Sequence, residues 1–231
     1  YDRYDRVGGL LIYGIPGFKL EKSIVERRGD LLRDGGVHFH LNTDIGGDIS
    51  FDNIRSKHDA VLVATGVYKA RDIVVPGSEL NGVVPALDYL TVSNRKSLGD
   101  KVDMFDNGTL NAEGKNIVVI GGGDTAMDCV RTAIRQGAKS VSCLYRRDRT
   151  NMPGSQREVQ NAEEEGVIFN WLSSPQAFMG DDRVRSLQVQ RIHLGQPDAT
   201  GRQVPEVIEG SVHEIHADMV IKALGFDPED L

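Results

Sequence analysis

Residues 116–129 read NIVVIGGGDTAMDC: an apolar run, three glycines, an acid, then a helix-forming stretch. This spacing constrains the backbone more than any other part of the chain. In Gly121-x-Gly123-x-x-Ala126, the first small residue permits a sharp turn. The second lets the backbone approach a pyrophosphate. The third lets a helix pack closely on the preceding strand, where Ala serves as well as Gly. The N–H groups and the positive dipole end of that helix then face the phosphates. The turn predicts an α/β, Rossmann-like fold and a bound dinucleotide: NAD, NADP or FAD. A ligand-free βαβ turn has the same local form. Gly121, Gly122, Gly123, Asp124 and Thr125 are the candidate cofactor-binding residues, with Asp124 also able to cap the helix.

The flanking sequence supports the unit. Residues 115–120 read as a strand, and 124–136 as a helix with Ala126, Val130, Ala133 and Ile134 on its apolar face. Gly137 stops that helix, and SVSCLYRR is the next strand. A second unit follows, with a helix over 155–165, Gly166 as its stop, and the strand VIFNWL. Residues 184–194 and 204–215 alternate as antiparallel strands do, and DMVIKALG returns as a buried strand. Nearer the start, 20–34 is a polar helix closed by Gly35-Gly36. VHFHLNTDI alternates as a strand, and DAVLVATG (59–66) has the continuous apolar run of a fully buried parallel strand. A helix starts near Pro85, and residues 94–114 read as loop or linker.

The end of the strand after the turn selects among the cofactors. NAD and FAD sites place an acid there to meet the ribose 2′-hydroxyl. This chain has Arg146-Arg147, 23 residues beyond Gly123. Guanidinium groups bind a 2′-phosphate through charge-assisted paired hydrogen bonds, whereas an acid repels it. The pair points to NADP; the alternative is two solvated arginines in a basic loop with Arg149.

Other classes are disfavoured. A net charge of −7 without a basic block gives no reason to expect nucleic acid. No apolar run approaches the roughly 20 residues of a membrane helix. Cys129 and Cys143 form no CxxC pair or zinc spacing, and read as small buried hydrophobes of a cytoplasmic protein. His38 and His40 share a strand face without a third ligand, so no metal site is expected. Glu163–Glu165 reads as a solvated helix end, and no nucleophile elbow is present. The opening YDRYDRVGG has no signal-peptide pattern, and both ends are expected to be cuts in a longer polypeptide.

Four ordered segments, YDRYDRVGGLLIYGIPGFKLEK, VLVATGVYKAR, VIGGGDTAMDC and YRRDRTNMPGSQREVQNAEEEGV, carry a resemblance over essentially the whole chain. They resemble the small (beta) subunit family of bacterial NADPH-dependent glutamate synthases, within the adrenodoxin reductase-like group of flavoproteins. The resemblance implies a Rossmann-like NADP-binding domain inserted in an FAD-binding domain, with VATG and KALG as the crossings. It divides the chain into a partial FAD-binding domain (1–66), an NADP-binding domain (67–222) and the start of a return to the FAD domain (223–231). It makes Asp2 the acid meeting the FAD ribose, and matches Leu10 and Ile45 to FAD-contacting positions. Glu158 matches an acid near the adenosine ribose phosphate, with a solvated acid in a helix first turn as the alternative.

The implied activity is electron input: NADPH delivers hydride to FAD, and electrons pass through iron–sulfur clusters to a large glutamate synthase subunit, which makes glutamate from glutamine and 2-oxoglutarate. The family's FAD glycine turn and cysteine-rich cluster segment have no counterpart in this chain, so tight FAD binding and activity of the chain alone are not expected. Hydride transfer between cofactors needs alignment more than acid–base chemistry, so no catalytic side chain is expected. The alternatives are a related NADPH-linked subunit with another acceptor, or an NADP-binding piece without activity.

Overall fold

A computed structural model describes residues 1–197 and 203–228. In chain order the first elements are helices α1 (Leu10–Tyr13), α2 (Lys22–Asp34) and α3 (Phe51–Lys57), then strands β1 (Lys69–Ala70) and β2 (Val83–Pro85). Helices α4 (Ala86–Ser97) and α5 (Asp103–Asp106) lead into β3 (Asn116–Ile120), α6 (Asp124–Arg135), β4 (Ser140–Leu144) and α7 (Gln156–Glu164). Strands β5 (Ile168–Asn170), β6 (Ser173–Gly180), β7 (Val184–Pro197), β8 (Gln203–Val207), β9 (His213–His216), β10 (Met219–Lys222) and β11 (Phe226–Asp227) complete the described fold.

The centre is a parallel sheet in the order β2-β10-β3-β4-β5. Its strands are apolar on both faces because both faces are covered. Ile117, Val119, Val141, Cys143, Met219 and Ile221 face a helical layer in which α6 supplies Ala126, Met127, Cys129, Val130 and Ala133. Val118, Ile120, Leu144 and Val220 face the other way, onto Phe178, Val184, Leu187 and Val189 of the antiparallel β6-β7 layer. Strand β7 pairs antiparallel with β6, β8 and β9. Both cysteines are buried in the helical layer, and burial pushes the Cys143 thiol up to about 12.

Three expectations near the start need correction. VHFHLNTDI forms no strand. Asp2 N–H donates to His40 O and Thr43 N–H to Asp2 O, both at 2.9 Å, but Asn42 sits at φ 51° and breaks the ladder between them. DAVLVATG is neither a strand nor buried: Leu62 is 90% exposed, and no described strand lies beside it to supply a ladder. Residues 94–114 are less irregular than expected, holding the end of α4 and all of α5. Residues 229–231 of the return segment expected over 223–231 lie outside the described residues.

The start of the chain is tied to the helical layer by charge. Arg6 donates to both oxygens of Asp100 at 2.8 and 2.6 Å, Arg95 donates to Asp5 at 2.7 Å, and the buried Asn94 amide donates to Tyr13 O at 2.8 Å. Farther along, Lys19 pairs with Asp128 at 2.9 Å, and the Phe18 ring lies under the guanidinium groups of Arg135 (3.9 Å) and Arg131 (4.8 Å). Glu165 completes this cluster, taking hydrogen bonds from Arg135 at 2.7 and 2.9 Å and from Arg131 at 2.7 to 3.1 Å. It is therefore an ion-pair centre rather than part of a solvated acidic end; Glu163 pairs with Arg149 at 2.7 Å, and Glu164 is the exposed acid of the three.

The hydrogen-bonded Arg135, with Arg131 beside it, holds the Glu165 carboxyl down, from an ordinary 4.5 to about 2, against the opposing effect of partial burial. A depressed folded pKa gives stability that is present above the unfolded value and lost as pH falls through the folded one. Glu165→Gln is expected to cost about 1–2 kcal/mol at pH 7. In urea titrations the gap between parent and variant should close as pH falls from 4.5 towards about 2; a gap unchanged over that range would contradict the ion-pair account.

Candidate functional site

The parallel strands end in a cleft of about 540 Å³, above the point where the order reverses between β10 and β3. Open α/β sheets bind ligands at such a point. Gly121, Gly122, Gly123 and Thr125 line the floor, with Ile120 and Leu144 from the strand ends. Ala223, Leu224 and Gly225 form one wall; Tyr145, Arg146, Ser173 and Ser174 form the other.

Each glycine of the turn has a different neighbour. Gly121 has φ 145°, and a Cβ there would come within 2.1 Å of the Ala223 carbonyl oxygen. A Cβ on Gly122 would meet the Tyr145 ring at 2.4 Å. Gly123 has extended backbone, φ −92°, and a Cβ there would meet nothing within 4 Å. Thus the first two glycines are required by protein packing, while the third opens onto free space. Ala126, fully buried, seats α6 on the sheet.

Gly123 is also the helix cap, and it offers no side chain to the first-turn N–H groups. Asp124 is not the cap: it is the first helical residue, and its carboxylate accepts the Ser155 N–H at 3.0 Å. Together with Gly154 N–H donating to Gly122 O at 2.9 Å, this folds the 146–155 loop back over the turn.

The two arginines part company. Arg146 is exposed and lines the cleft. Arg147 is 8% exposed and is not among the lining residues; its Nη2 donates to Gln203 O at 3.2 Å, and its Nε has no partner among the described residues. The cause is backbone pairing beyond β4. Tyr145 N–H donates to Asn170 O, Ser173 N–H to Tyr145 O and Leu172 N–H to Arg147 O, each at 3.1 Å. The pairing is no regular ladder, since Leu172 sits at φ 51°; Tyr145 and Arg146 both line the cleft, while Arg147 is buried. Glu158 is likewise outside the cleft lining, held by Arg131 at 2.6 Å.

A second cavity, of about 530 Å³, brings Asp2, Leu10 and Ile45 together with Gly8, Gly9 and residues 64–66. Asp2 holds the local turn by accepting the Tyr4 N–H at 3.0 Å. His38 and His40 are exposed, and His40 stacks on Tyr1 with ring centroids 4.6 Å apart. Among the described residues no group of three His, Cys, Asp or Glu is placed to hold a metal. None of the described helices is long and apolar enough to cross a membrane. Sequence reasoning missed Arg71, Tyr145, Ser173 and Ser174 as cleft residues, because they reach it through chain crossings and strand pairing that no local motif encodes.

The family model described as pyridine nucleotide-disulphide oxidoreductase matches residues 38–231. The chain is 68% identical over its full length to the glutamate synthase [NADPH] small chain of Azospirillum brasilense, covering 48% of that protein. It is 50% identical over 99% of its length to the corresponding small chain of Halomonas elongata, again covering 48%. The chain thus spans about half the length of these curated relatives. Mycobacterium tuberculosis FprA in complex with NADPH shares the fold, with a TM-score of 0.80 at 19% identity over 97% of this chain and 63% of that one.

The contrast within the turn is testable by stability alone. Gly121→Ala forces a clash with backbone at positive φ and is expected to cost about 2–4 kcal/mol. Gly123→Ala should change stability by less than about 1 kcal/mol, because its backbone suits any residue and its Cβ enters open space. Urea unfolding of both variants measures this; equal losses would show that the open side of Gly123 is misassigned.

Proposed function

The chain belongs to the pyridine nucleotide-disulphide oxidoreductase family, and on that premise we propose that it is the NADPH-binding part of an electron-input subunit of the glutamate synthase small-chain type, in which NADPH supplies hydride to FAD. The observation that carries this reading is the pairing of an open Gly123 with an exposed Arg146 on one cleft. The uncapped start of α6, through the backbone of Gly122, Gly123, Asp124 and Thr125, cradles the pyrophosphate. Arg146 holds the 2′-phosphate. Arg147 and Glu158 act from outside the cleft, one anchoring the strand that presents Arg146 and the other bracing α6 against α7 through Arg131.

In this reading 67–222 is the NADP-binding unit, and 1–66 with 223–231 belongs to the FAD-binding unit. The shared placement of Asp2, Leu10 and Ile45 around one cavity supports the FAD side. This chain's residues bind, orient and exclude water through Ile120, Leu144 and Leu224; none is assigned as an acid or base. The whole protein then passes electrons through iron–sulfur clusters to a large subunit that forms glutamate from glutamine and 2-oxoglutarate.

Calorimetric titration with NADPH and NADH tests the nucleotide assignment. The parent should prefer NADPH. Arg146→Ala should weaken NADPH about 10–100-fold and leave NADH nearly unchanged. Gly123→Val should abolish binding of both while the protein stays folded. A parent without preference, or an Arg146→Ala variant that keeps it, would remove the NADP assignment.

A further inference from the structure

Arg71 enters the cleft from the side opposite Arg146. Its backbone N–H donates to Gly225 O at 2.9 Å, at the short antiparallel pairing of β1 with β11. Gly225 lies two residues after Ala223, whose carbonyl packs against Gly121. The Arg71 side chain is therefore rooted above the β10 end of the sheet, while Arg146 is rooted beyond the end of β4. Strand β3 and the glycine turn lie between them. Both arginines line the same cleft.

The charges there are unequal. Asp72 also lines the cleft, but Lys222 already takes it at 2.6 Å. Asp227 engages Arg71 only through Nε, at 2.8 Å, and among the described residues no other acceptor takes its two Nη groups. Its side chain remains 57% exposed. A guanidinium held through Nε, with Nη1 beside Gly225 on the wall of a cleft floored by a glycine turn, suits a phosphate oxygen pair.

We propose that Arg71 is a second phosphate-binding residue of this site, contacting the pyrophosphate of the dinucleotide, and that Asp227 orients it. The proposal rests on the reading of the cleft as a dinucleotide site. It divides the labour between two cations: Arg146 distinguishes a 2′-phosphate, and Arg71 serves any dinucleotide.

The test titrates this chain with NADPH, NADH and 2′-AMP, the last having a 2′-phosphate but no pyrophosphate. Arg71→Ala should weaken NADPH and NADH by the same factor, about 10–100-fold, and leave 2′-AMP unchanged. Arg146→Ala should weaken NADPH and 2′-AMP and spare NADH. Asp227→Asn should bind both dinucleotides within about threefold of the parent, since it keeps an acceptor beside Nε. The assignment is overturned if Arg71→Ala binds like the parent, or if it weakens 2′-AMP as much as the dinucleotides. It is also overturned if Arg71→Ala and Asp227→Asn both lower stability in urea unfolding while dinucleotide affinity stays parental, which would reduce the pair to a tether between β1 and β11. If the parent binds neither dinucleotide, the reading of the cleft fails first and Arg71 falls with it. Parental binding with an unaffected Arg71→Ala variant would sink the Arg71 assignment alone.

Discussion

Gly121 packs directly on the carbonyl of Ala223, at a separation that no residue with a Cβ could adopt. That contact joins the turn after β3 to the exit of β10, two segments a hundred residues apart in the chain. Backbone bonds on either side fix it: Ala223 N–H donates to Ile120 O at 2.8 Å, and Gly121 N–H to Leu144 O at 3.0 Å. The positions of the cleft floor, the uncapped start of α6 and the Ala223–Gly225 wall all follow from it. Moving the turn outwards by the width of one methyl group would tilt α6 off the sheet, exposing Ala126, Val130 and Ala133.

The same helix has a second task on its outer side. Its first turn faces the cleft, and its later turns carry Asp128, Arg131 and Arg135, which grip Lys19, Phe18 and Glu165. Burial pushes the Asp128 carboxyl up, and the Lys19 hydrogen bond offsets that only in part. These contacts are partly buried, and Glu165 alone takes several hydrogen bonds, so they resist salt better than exposed pairs and fix geometry as well as energy. The segment Gly14–Lys22 leads directly from α1, whose Leu10 lines the second cavity, to this grip on α6. One helix thus braces the cleft at the sheet end and the wall of the neighbouring cavity.

Most of the parallel sheet and α6 could be read from local pattern, because there the pattern and the tertiary environment agree. Residues 117–120, IVVI, are apolar throughout and covered on both faces; the α6 stripe repeats at helical spacing and is buried. The apolar run over 59–66 carries the same signal but has no described strand beside it, so its burial cannot follow from its own residues. Asn42 shows a smaller failure: one residue at positive φ undoes an alternating pattern that periodicity alone calls a strand. Glu165 reads as one more acid in a surface run until the arginines from α6, thirty and more residues earlier, are folded onto it. Cleft residues from other segments, Arg71 above all, were invisible for the same reason.

The adjacent arginines show how finely backbone direction divides function. Sequence chemistry gives Arg146 and Arg147 equal claims on a phosphate. Backbone hydrogen bonds between 145–147 and 170–173 hold this segment with Arg146 exposed at the cleft and Arg147 buried. Arg147 is buried, and its cation donates a hydrogen bond to Gln203 O at the start of β8, with no carboxylate partner among the described residues. A buried guanidinium without a full set of acceptors costs stability. Its hydrogen bond to Gln203 O ties the segment that carries Arg146 to β8, and planar guanidinium donors are selective only when held in place.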